Sequence, residues 1–415
     1  MAADKARVPS GEELRWITER AVADIIRREE FIGAVTSGQA LRLKMGFDPS
    51  APDLTLGHAV GLRKLRQLQE LGHTIVVIVG DWTARIGDPS GQSKTRPMLT
   101  SQQVKENAET YLRQFSKIVD RELTEIRWQS EWFDEFSLTT IVNLAAKFTV
   151  AQMLERGDFA ERFAARKPIG IHELFYPLLQ AYDSVAVKAD VEFGGTDQTF
   201  NLLVGRQLQA EFGQKPQAVF TVPLLVGTDG VKMSKSQGNY VALDEPPHEM
   251  YGKLMSITDP LVGDYFELLT DIPDEELAAI REAVAEGGTD ARDAKMRLAR
   301  EIVSQFHGAD AAAEAEEEFR RVFSKREIPE EAQDLPVAFN GAASVEIDLT
   351  DALVSAGVAP SKSEVRRLLS QGAVEANGTP VDSTRVTVGK ETMIRVGKHR
   401  FVRIVDSESP SGAGA

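Results

Sequence analysis

Gly46-Phe-Asp-Pro-Ser-Ala-Pro-Asp-Leu-Thr-Leu-Gly-His58 decides how the rest of the chain is read. Before it, Leu41 to Met45 mixes apolar and basic residues and predicts a short strand. After it, Val60, Leu62, Leu65, Leu68 and Leu71 recur at helical spacing, with Arg63, Lys64, Arg66 and Gln67 on other faces. The turn between them, rich in Pro, Ser and Asp, puts Gly57 and His58 at a helix entry. Backbone N–H groups and the positive end of the helix dipole make that entry a seat for phosphate. Gly57 has no side chain, so an adenine ring or a phosphate can approach the backbone closely. Thr55 and His58 can each donate a hydrogen bond to charge developing on a phosphate. Taken alone, T-x-G-H reads as well as a turn threonine followed by a satisfied helix-end histidine.

Working outward, Thr74 to Val79, T-I-V-V-I-V, is apolar without alternation, as in a parallel strand buried on both faces. Strand, helix, strand is a right-handed crossover unit, and such sheets bind ligands beyond the carboxyl ends of their strands. At that end lies Gly80 to Gly91, G-D-W-T-A-R-I-G-D-P-S-G, in which Asp88 is either a turn residue or a carboxylate for an ammonium group. Tyr176-Pro-Leu-Leu-Gln-Ala-Tyr-Asp183 puts Tyr176, Gln180 and Asp183 on one helix face. A phenol, an amide and a carboxylate together suit recognition of a polar ligand, the plainer alternative being a solvated face. Phe193 to Asn201, F-G-G-T-D-Q-T-F-N, offers close backbone approach at Gly194 and Gly195, and directed polar groups at Asp197 and Gln198. Ala218 to Val226 reads as another buried strand. Lys232 to Ser236, K-M-S-K-S, then supplies charges, hydroxyls and backbone N–H groups able to wrap a polyphosphate.

Composition bounds these readings. The 415 residues predict two or three domains, and 42% hydrophobic content is ample for packed cores. There are no cysteines, which excludes disulfides and thiolate metal sites. Met1 to Glu13 has no apolar signal region and no run approaches a membrane span, so a cytoplasmic protein without membrane contact is expected. A net charge of −15 argues against a generally basic nucleic-acid binder and leaves room for a local patch. Ser10 and Glu13 form a capping box ahead of a helical stripe through Leu14, Ile17, Ala21 and Ile25. Residues 101 to 119 and 134 to 155 are predicted helices that interrupt the strand–helix alternation, an insertion suited to a subunit interface.

In this order the five motifs resemble those of bacterial tyrosyl-tRNA synthetases, class I aminoacyl-tRNA synthetases. The resemblance spans nearly the whole chain. It implies a Rossmann-like α/β catalytic domain with a helical insertion over residues 1–240. An α-helical domain reading the anticodon arm is implied over 241–328. A linker over 329–344, with Pro336 and Gly341 and few regular patterns, precedes a small αL-type α+β RNA-binding module over 345–405. In that module Thr350 can cap one helix, with Gly357 past its end. Ser361 and Glu364 can cap a second, closed by Gly372. Residues 406–415, rich in Ser, Gly and Ala, read as a disordered tail. Residues 341–405 hold nine Lys and Arg against seven Asp and Glu, whereas residues 1–340 hold 39 against 54. That asymmetry suits contact with RNA through Lys362, Arg366, Arg367, Lys398 and Arg400.

The resemblance also implies roles. Thr55 and His58 would contact the ATP phosphates, and Lys232 and Lys235 would close over the leaving pyrophosphate. Asp48, Gly57, Gly195 and Asp197, together with His58 and Lys235, would line the nucleotide site. Asp88, Tyr176 and Gln180 would bind the tyrosine amino group, Asp183 its hydroxyl and Gln198 its carboxylate. ATP would enter as a substrate with Mg²⁺ and no dedicated protein cage, tRNA(Tyr) would be the acceptor, and a homodimer is implied. Two departures stand out: Thr55 occupies the first histidine of the family's H-I-G-H, and Lys44 replaces a tyrosine that in many members helps hold the substrate phenol. Two rivals remain at this level, another T-x-G-H nucleotidylyltransferase and a non-catalytic RNA-binding protein on the same scaffold.

Overall fold

The computed structural model describes residues 5–50, 52–87, 99–231, 233, 238–287, 289–321, 332–397 and 400–407. Asp88, Lys232, Lys235 and Lys398 lie outside them. Residues 1–313 form one compact unit and 314–415 a second.

The first unit is built on a six-stranded sheet: β1 (Asp24–Ile26), β2 (Arg42–Phe47), β3 (Thr74–Val79), β4 (Thr124–Trp128), β5 (Val191–Gly195) and β6 (Ala218–Val222). Their spatial order is β1-β6-β5-β2-β3-β4. All neighbours run parallel except β1, which pairs antiparallel with β6 at the edge. All six residues of β3 are buried, as an unalternating apolar run requires. The chain runs from β2 outward through β3 and β4, then returns to place β5 and β6 on the other side. The strand order therefore reverses between β2 and β5, and a crevice opens there at the carboxyl ends of the strands.

Several local expectations are corrected. The capped N-terminal helix runs only from Gly11 to Thr18, with Ser10 and Glu13 closing the capping box. Ala21 takes a left-handed φ of 53°, and Ile25 lies in β1 instead of on a helical stripe. Hydrogen bonding to β6 satisfies that backbone better than another helical turn would. β6 stops at Val222 because Pro223 has no N–H to offer the ladder. The insertion breaks into short helices, Leu138–Ala145, Val150–Met153 and Gly157–Ala164, the second restarted by Thr149 as its N-cap.

The helices Pro247–Met255, Val262–Leu269, Asp274–Glu286 and Thr289–His307 fold with the sheet, so no separate unit begins at residue 241. Arg20 shows why. Its buried guanidinium donates to the carbonyls of Glu267 at 3.1 Å and Ile272 at 3.0 Å, and to Asp274 Oδ1 at 2.9 Å.

In the second unit the expected linker contains a strand, β7 (Gln333–Val337), after which come β8 (Ser344–Asp348), β9 (Val374–Ala376), β10 (Thr379–Pro380), β11 (Arg385–Gly389), β12 (Met393–Val396) and β13 (Arg400–Asp406). β7 runs parallel to β13 as the edge strand of a five-stranded sheet, with Pro336 opposite Val405. An edge tolerates proline, which is why the stretch reads as irregular in sequence. Asp406, assigned to the tail, belongs to β13. Asp348, not Thr350, caps the Leu349–Ser355 helix, accepting Thr350 N–H at 2.8 Å. Ser361 caps Lys362–Ser370 as expected, accepting Glu364 N–H at 3.2 Å. Among the described residues no helix is long and apolar enough to cross a membrane.

Candidate active site

One end of the crevice is set by the entry of the Leu56–Gln69 helix. Thr55 is its N-cap in extended backbone and His58 its third residue. The His58 ring folds back so that Nδ1 accepts the Thr55 backbone N–H at 3.1 Å. A backbone N–H can only donate, so Nδ1 is the accepting nitrogen and the proton of the neutral ring sits on Nε2. The Thr55 hydroxyl lies 3.0 Å from the same Nδ1 and spends its one proton there. His58 thus carries its ring proton on Nε2, with the Thr55 hydroxyl against the opposite nitrogen. Phe47 and Tyr111 hold the ring from two sides, with centroids 6.2 and 6.5 Å away.

The chain that follows the K-M-S-K-S stretch returns to this entry. Leu56 N–H bonds to Val241 O at 2.9 Å, and Leu243 N–H to Leu54 O at 2.9 Å. A Cβ on Gly57 would lie 3.7 Å from Met233 Sδ, so the loop's methionine borders the helix entry. Across the crevice, Gly195 ends β5 and Asp197 and Gln198 form the next turn. Gln198 Oε1 accepts from Asn201 Nδ2 at 2.9 Å, and Asn201 Oδ1 accepts from the buried Arg156 at 3.3 Å. That chain fixes the Gln198 amide so that its Nε2 end carries the donors a carboxylate needs.

The other end is built on the Tyr176–Val187 helix. Tyr176 donates its hydroxyl to Asp48 Oδ2 at 2.9 Å, and Thr83 Oγ1 donates to Asp48 Oδ1 at 2.7 Å. Asp183 is buried, with Oδ2 accepting from Gln129 Nε2 at 2.8 Å and Oδ1 without a hydrogen-bond partner. Burial pushes its carboxyl up to about 7, against the pull of the Lys44 ammonium and the Gln129 bond. Gln129 Oε1 accepts Thr83 N–H at 2.9 Å, which fixes the amide and turns its N–H toward Asp183. Gln129 follows β4 in a stretch with no motif, and nothing in the sequence singles it out.

Lys44 is fully buried in β2, and its three protons are all committed. They go to Gln180 O at 3.0 Å, Ser184 Oγ at 3.0 Å and Glu192 Oε1 at 2.7 Å. Lys44 therefore does not donate to a substrate hydroxyl as the replaced tyrosine would. Gln180 Nε2 donates to Glu192 Oε1 at 3.3 Å, leaving its carbonyl end as an acceptor suited to an ammonium. Ser184 and Gln217 complete the shell of Glu192. A Cβ on Gly205 would lie 2.8 Å from Gln217 Nε2 and 3.0 Å from Glu192 Oε2, so glycine lets the Thr199–Glu211 helix close over this cluster.

The crevice thus gathers Asp48, Thr55, Gly57, His58, Tyr176, Gln180, Asp183, Gly195, Asp197 and Gln198. The candidate RNA contacts lie in the second unit. There Lys362 pairs with Asp351, Arg367 with Glu364 at 2.7 Å, and Arg400 donates to the Val358 carbonyl. Arg366 is exposed and, among the described residues, has no ion-pair partner.

Comparison with known proteins identifies the family. The family model for tRNA synthetases class I (W and Y) matches residues 36–324, and that for the tyrosine–tRNA ligase SYY-like C-terminal domain matches 327–404. The tyrosine–tRNA ligase of Dehalococcoides mccartyi (strain 195) is 56% identical over 390 residues, 94% of this chain and 98% of that one. The Thermotoga maritima tyrosine–tRNA ligase is 52% identical over 401 residues, 96% of this chain and 98% of its own. Among solved structures, a C-terminally truncated Aspergillus nidulans mitochondrial tyrosyl-tRNA synthetase shares the fold with a TM-score of 0.63 at 23% identity, covering 75% of this chain and 94% of its own. The Archaeoglobus fulgidus enzyme complexed with L-tyrosine gives 0.60 at 22%, covering 74% and 99%. Two family models that together span nearly the whole chain, and relatives more than half identical along it, lead to one conclusion: the chain belongs to the tyrosyl-tRNA synthetase family of class I.

Proposed function

We propose that the chain is a tyrosine–tRNA ligase that activates L-tyrosine with ATP and transfers it to the 3′ end of tRNA(Tyr). One observation carries the specificity: the buried Asp183 carboxylate with an unpartnered Oδ1, in the same crevice as the phosphate-seating helix entry. A buried acceptor of this kind rewards a ligand that brings a hydroxyl and penalises one that does not.

In the first step a tyrosine carboxylate oxygen attacks the α-phosphorus, and pyrophosphate leaves with the bridging oxygen. The work of the protein is positioning and charge stabilisation. The Gln180 carbonyl end, Tyr176 and Asp88 hold the substrate ammonium, and Gln198 Nε2 holds its carboxylate. Asp48, Gly57, Gly195 and Asp197 line the nucleotide. His58 donates through Nε2 to phosphate oxygens, Thr55 keeps the ring turned, and Lys232 and Lys235 neutralise the departing pyrophosphate. Mg²⁺ entering with the ATP phosphates would add positive charge there. A terminal tRNA hydroxyl then attacks the adenylate carbonyl and AMP departs.

The helical region expected over 241–328 serves the anticodon arm, and RNA contacts are added through Lys362, Arg366, Arg367, Lys398 and Arg400. Exposed ion pairs such as Arg367–Glu364 are worth at most about 1 kcal/mol, so a phosphate can take over the arginine at little cost. Leu138, Val142, Val150, Phe163 and Ile171 are apolar and exposed within one stretch of the insertion, and a second copy covers them in a homodimer. The reaction belongs in the cytoplasm, with tRNA and ATP.

The test is amino-acid-dependent ATP–pyrophosphate exchange with tyrosine, phenylalanine and tryptophan. Exchange with tyrosine is expected. Exchange with tryptophan alone overturns the specificity, and exchange with none favours an RNA-binding protein on a synthetase scaffold.

A further inference from the structure

The amino-acid end holds an ion pair that the reading above leaves without a task. Lys44 and Glu192 sit 2.7 Å apart with side chains 0% and 1% exposed. Removing both charges from water is costly, and apolar residues of similar volume would fill the same space as well or better. Lys44 contacts no substrate, since its three protons go to Gln180, Ser184 and Glu192. Two of those acceptors flank Asp183 on the same helix, so the ammonium lies under the turn that carries the hydroxyl-reading carboxylate.

The charges that face Asp183 are few. Lys44 comes from β2, Asp48 from the turn after β2 and Glu192 from β5; Gln129, after β4, is neutral, and Tyr176 on Asp183's own helix gives its hydroxyl to Asp48. Without Lys44, the buried Asp183 and Glu192 carboxylates and the half-buried Asp48 would have no cation among them, and the cheapest response is for the most desolvated one to take a proton. A protonated Asp183 would no longer offer Oδ1 as the acceptor that a substrate O–H needs.

We propose that Lys44 is a positioning residue whose charge keeps Asp183 ionised, and so determines the choice of tyrosine over phenylalanine without touching either. The inference rests on Asp183 reading the substrate hydroxyl. Burial already brings the Asp183 carboxyl to about 7 with Lys44 in place, so the pocket has little reserve at neutral pH.

The test uses the full-length chain and kcat/KM for tyrosine and phenylalanine in pyrophosphate exchange, between about pH 5.5 and 9. Lys44→Met is compared with the double variant Lys44→Met/Glu192→Gln, which leaves no orphaned buried charge and so guards against misfolding. The acid limb of the tyrosine profile should move up by about one pH unit or more in the double variant, lowering the tyrosine-to-phenylalanine ratio at pH 6 about tenfold. Lys44→Met alone should move the limb further, because the Glu192 charge then acts unopposed. Losses common to both amino acids, including any through Gln180, divide out of the ratio.

Asp183→Asn in the same assay separates the two claims. If it keeps the wild-type ratio, the reading of Asp183 fails and the inference falls with it. If it collapses the ratio while the double variant keeps both limb and ratio, Lys44 is structural and this inference alone is overturned.

Discussion

The two ends of the crevice are made of different material. At the amino-acid end Lys44, Gln129, Asp183, Ser184, Glu192 and Gln217 are all buried, and each hydrogen-bonds at least one of the others. At the nucleotide end Gly57 and His58 are half-buried, Asp197 is exposed, and backbone N–H groups and glycines do much of the shaping. On the function proposed above, the difference follows from what each end would recognise. A phenol differs from a benzene ring by one hydrogen bond, worth about 1 kcal/mol net in water. A dry shell with a buried acceptor left open amplifies that difference. A triphosphate carries its own charge and can be gripped by dipoles and lysines at a wet surface.

The sharpest way to break this contrast is Asp183→Asn. It leaves a polar side chain but removes the charged acceptor, so the tyrosine-to-phenylalanine ratio of kcat/KM should fall by about 10²-fold, the cost of a buried charged partner lost. The same substitution should stabilise the fold. With the carboxyl raised from 3.8 to about 7, the native chain holds a proton that the unfolded chain releases between those values. Stability therefore declines as pH rises through that window, and the burial cost is fully present above pH 7. Asparagine does not titrate, so denaturant unfolding at pH 8 should show a gain on the order of 2–4 kcal/mol that vanishes below pH 4. A gain equal at both pH values would mean that the charge is not its source.

The nucleotide end should answer differently, in rate and not in choice. His58→Ala removes the Nε2–H donor and should slow adenylate formation about 10²-fold with the amino-acid preference unchanged. Thr55→Val removes only the hydroxyl that supports the ring, at about 1 kcal/mol or roughly fivefold. Because both act through one imidazole, the double variant should be no slower than His58→Ala. Additive losses in stopped-flow adenylation would show Thr55 contacting phosphate on its own.

What the sequence disclosed follows the same division. Runs with one strong physical signature were legible: the unalternating Thr74–Val79, the Ser10/Glu13 capping box, and the polar face of Tyr176, Gln180 and Asp183. Features held by partners distant in sequence were not. Ile25 continues a helical stripe until β6 offers its edge. Gln129 is one amide among ordinary neighbours until folding sets it between Thr83 and Asp183. Lys44 registers in sequence only as a replaced tyrosine; its three acceptors are between 136 and 148 residues away. β7 contains a proline and pairs with a strand some 70 residues later, so local pattern gave it no support.

That strand also decides how the second unit can be tested. A cut at Ser344 would leave β7 without β13 and expose Leu335, which is buried in the C-terminal core. Ending the chain at Arg321 removes the sheet whole. If the second unit acts only on tRNA, tyrosine-dependent pyrophosphate exchange should stay within about twofold, because each crevice residue named above lies before residue 240. Charging should fall about tenfold through KM, since lost phosphate contacts weaken binding without altering chemistry. The remaining tRNA affinity should also depend less steeply on salt, by about one unit of slope for each contact removed. Exposed pairs such as Arg367–Glu364 and Lys362–Asp351 keep this effect modest, because each phosphate must first displace a carboxylate. Aminoacylation over a salt series on both chains measures it. An unchanged slope would mean that the second unit grips something other than the RNA backbone, whereas exchange collapsing together with charging would mean that it braces the catalytic unit.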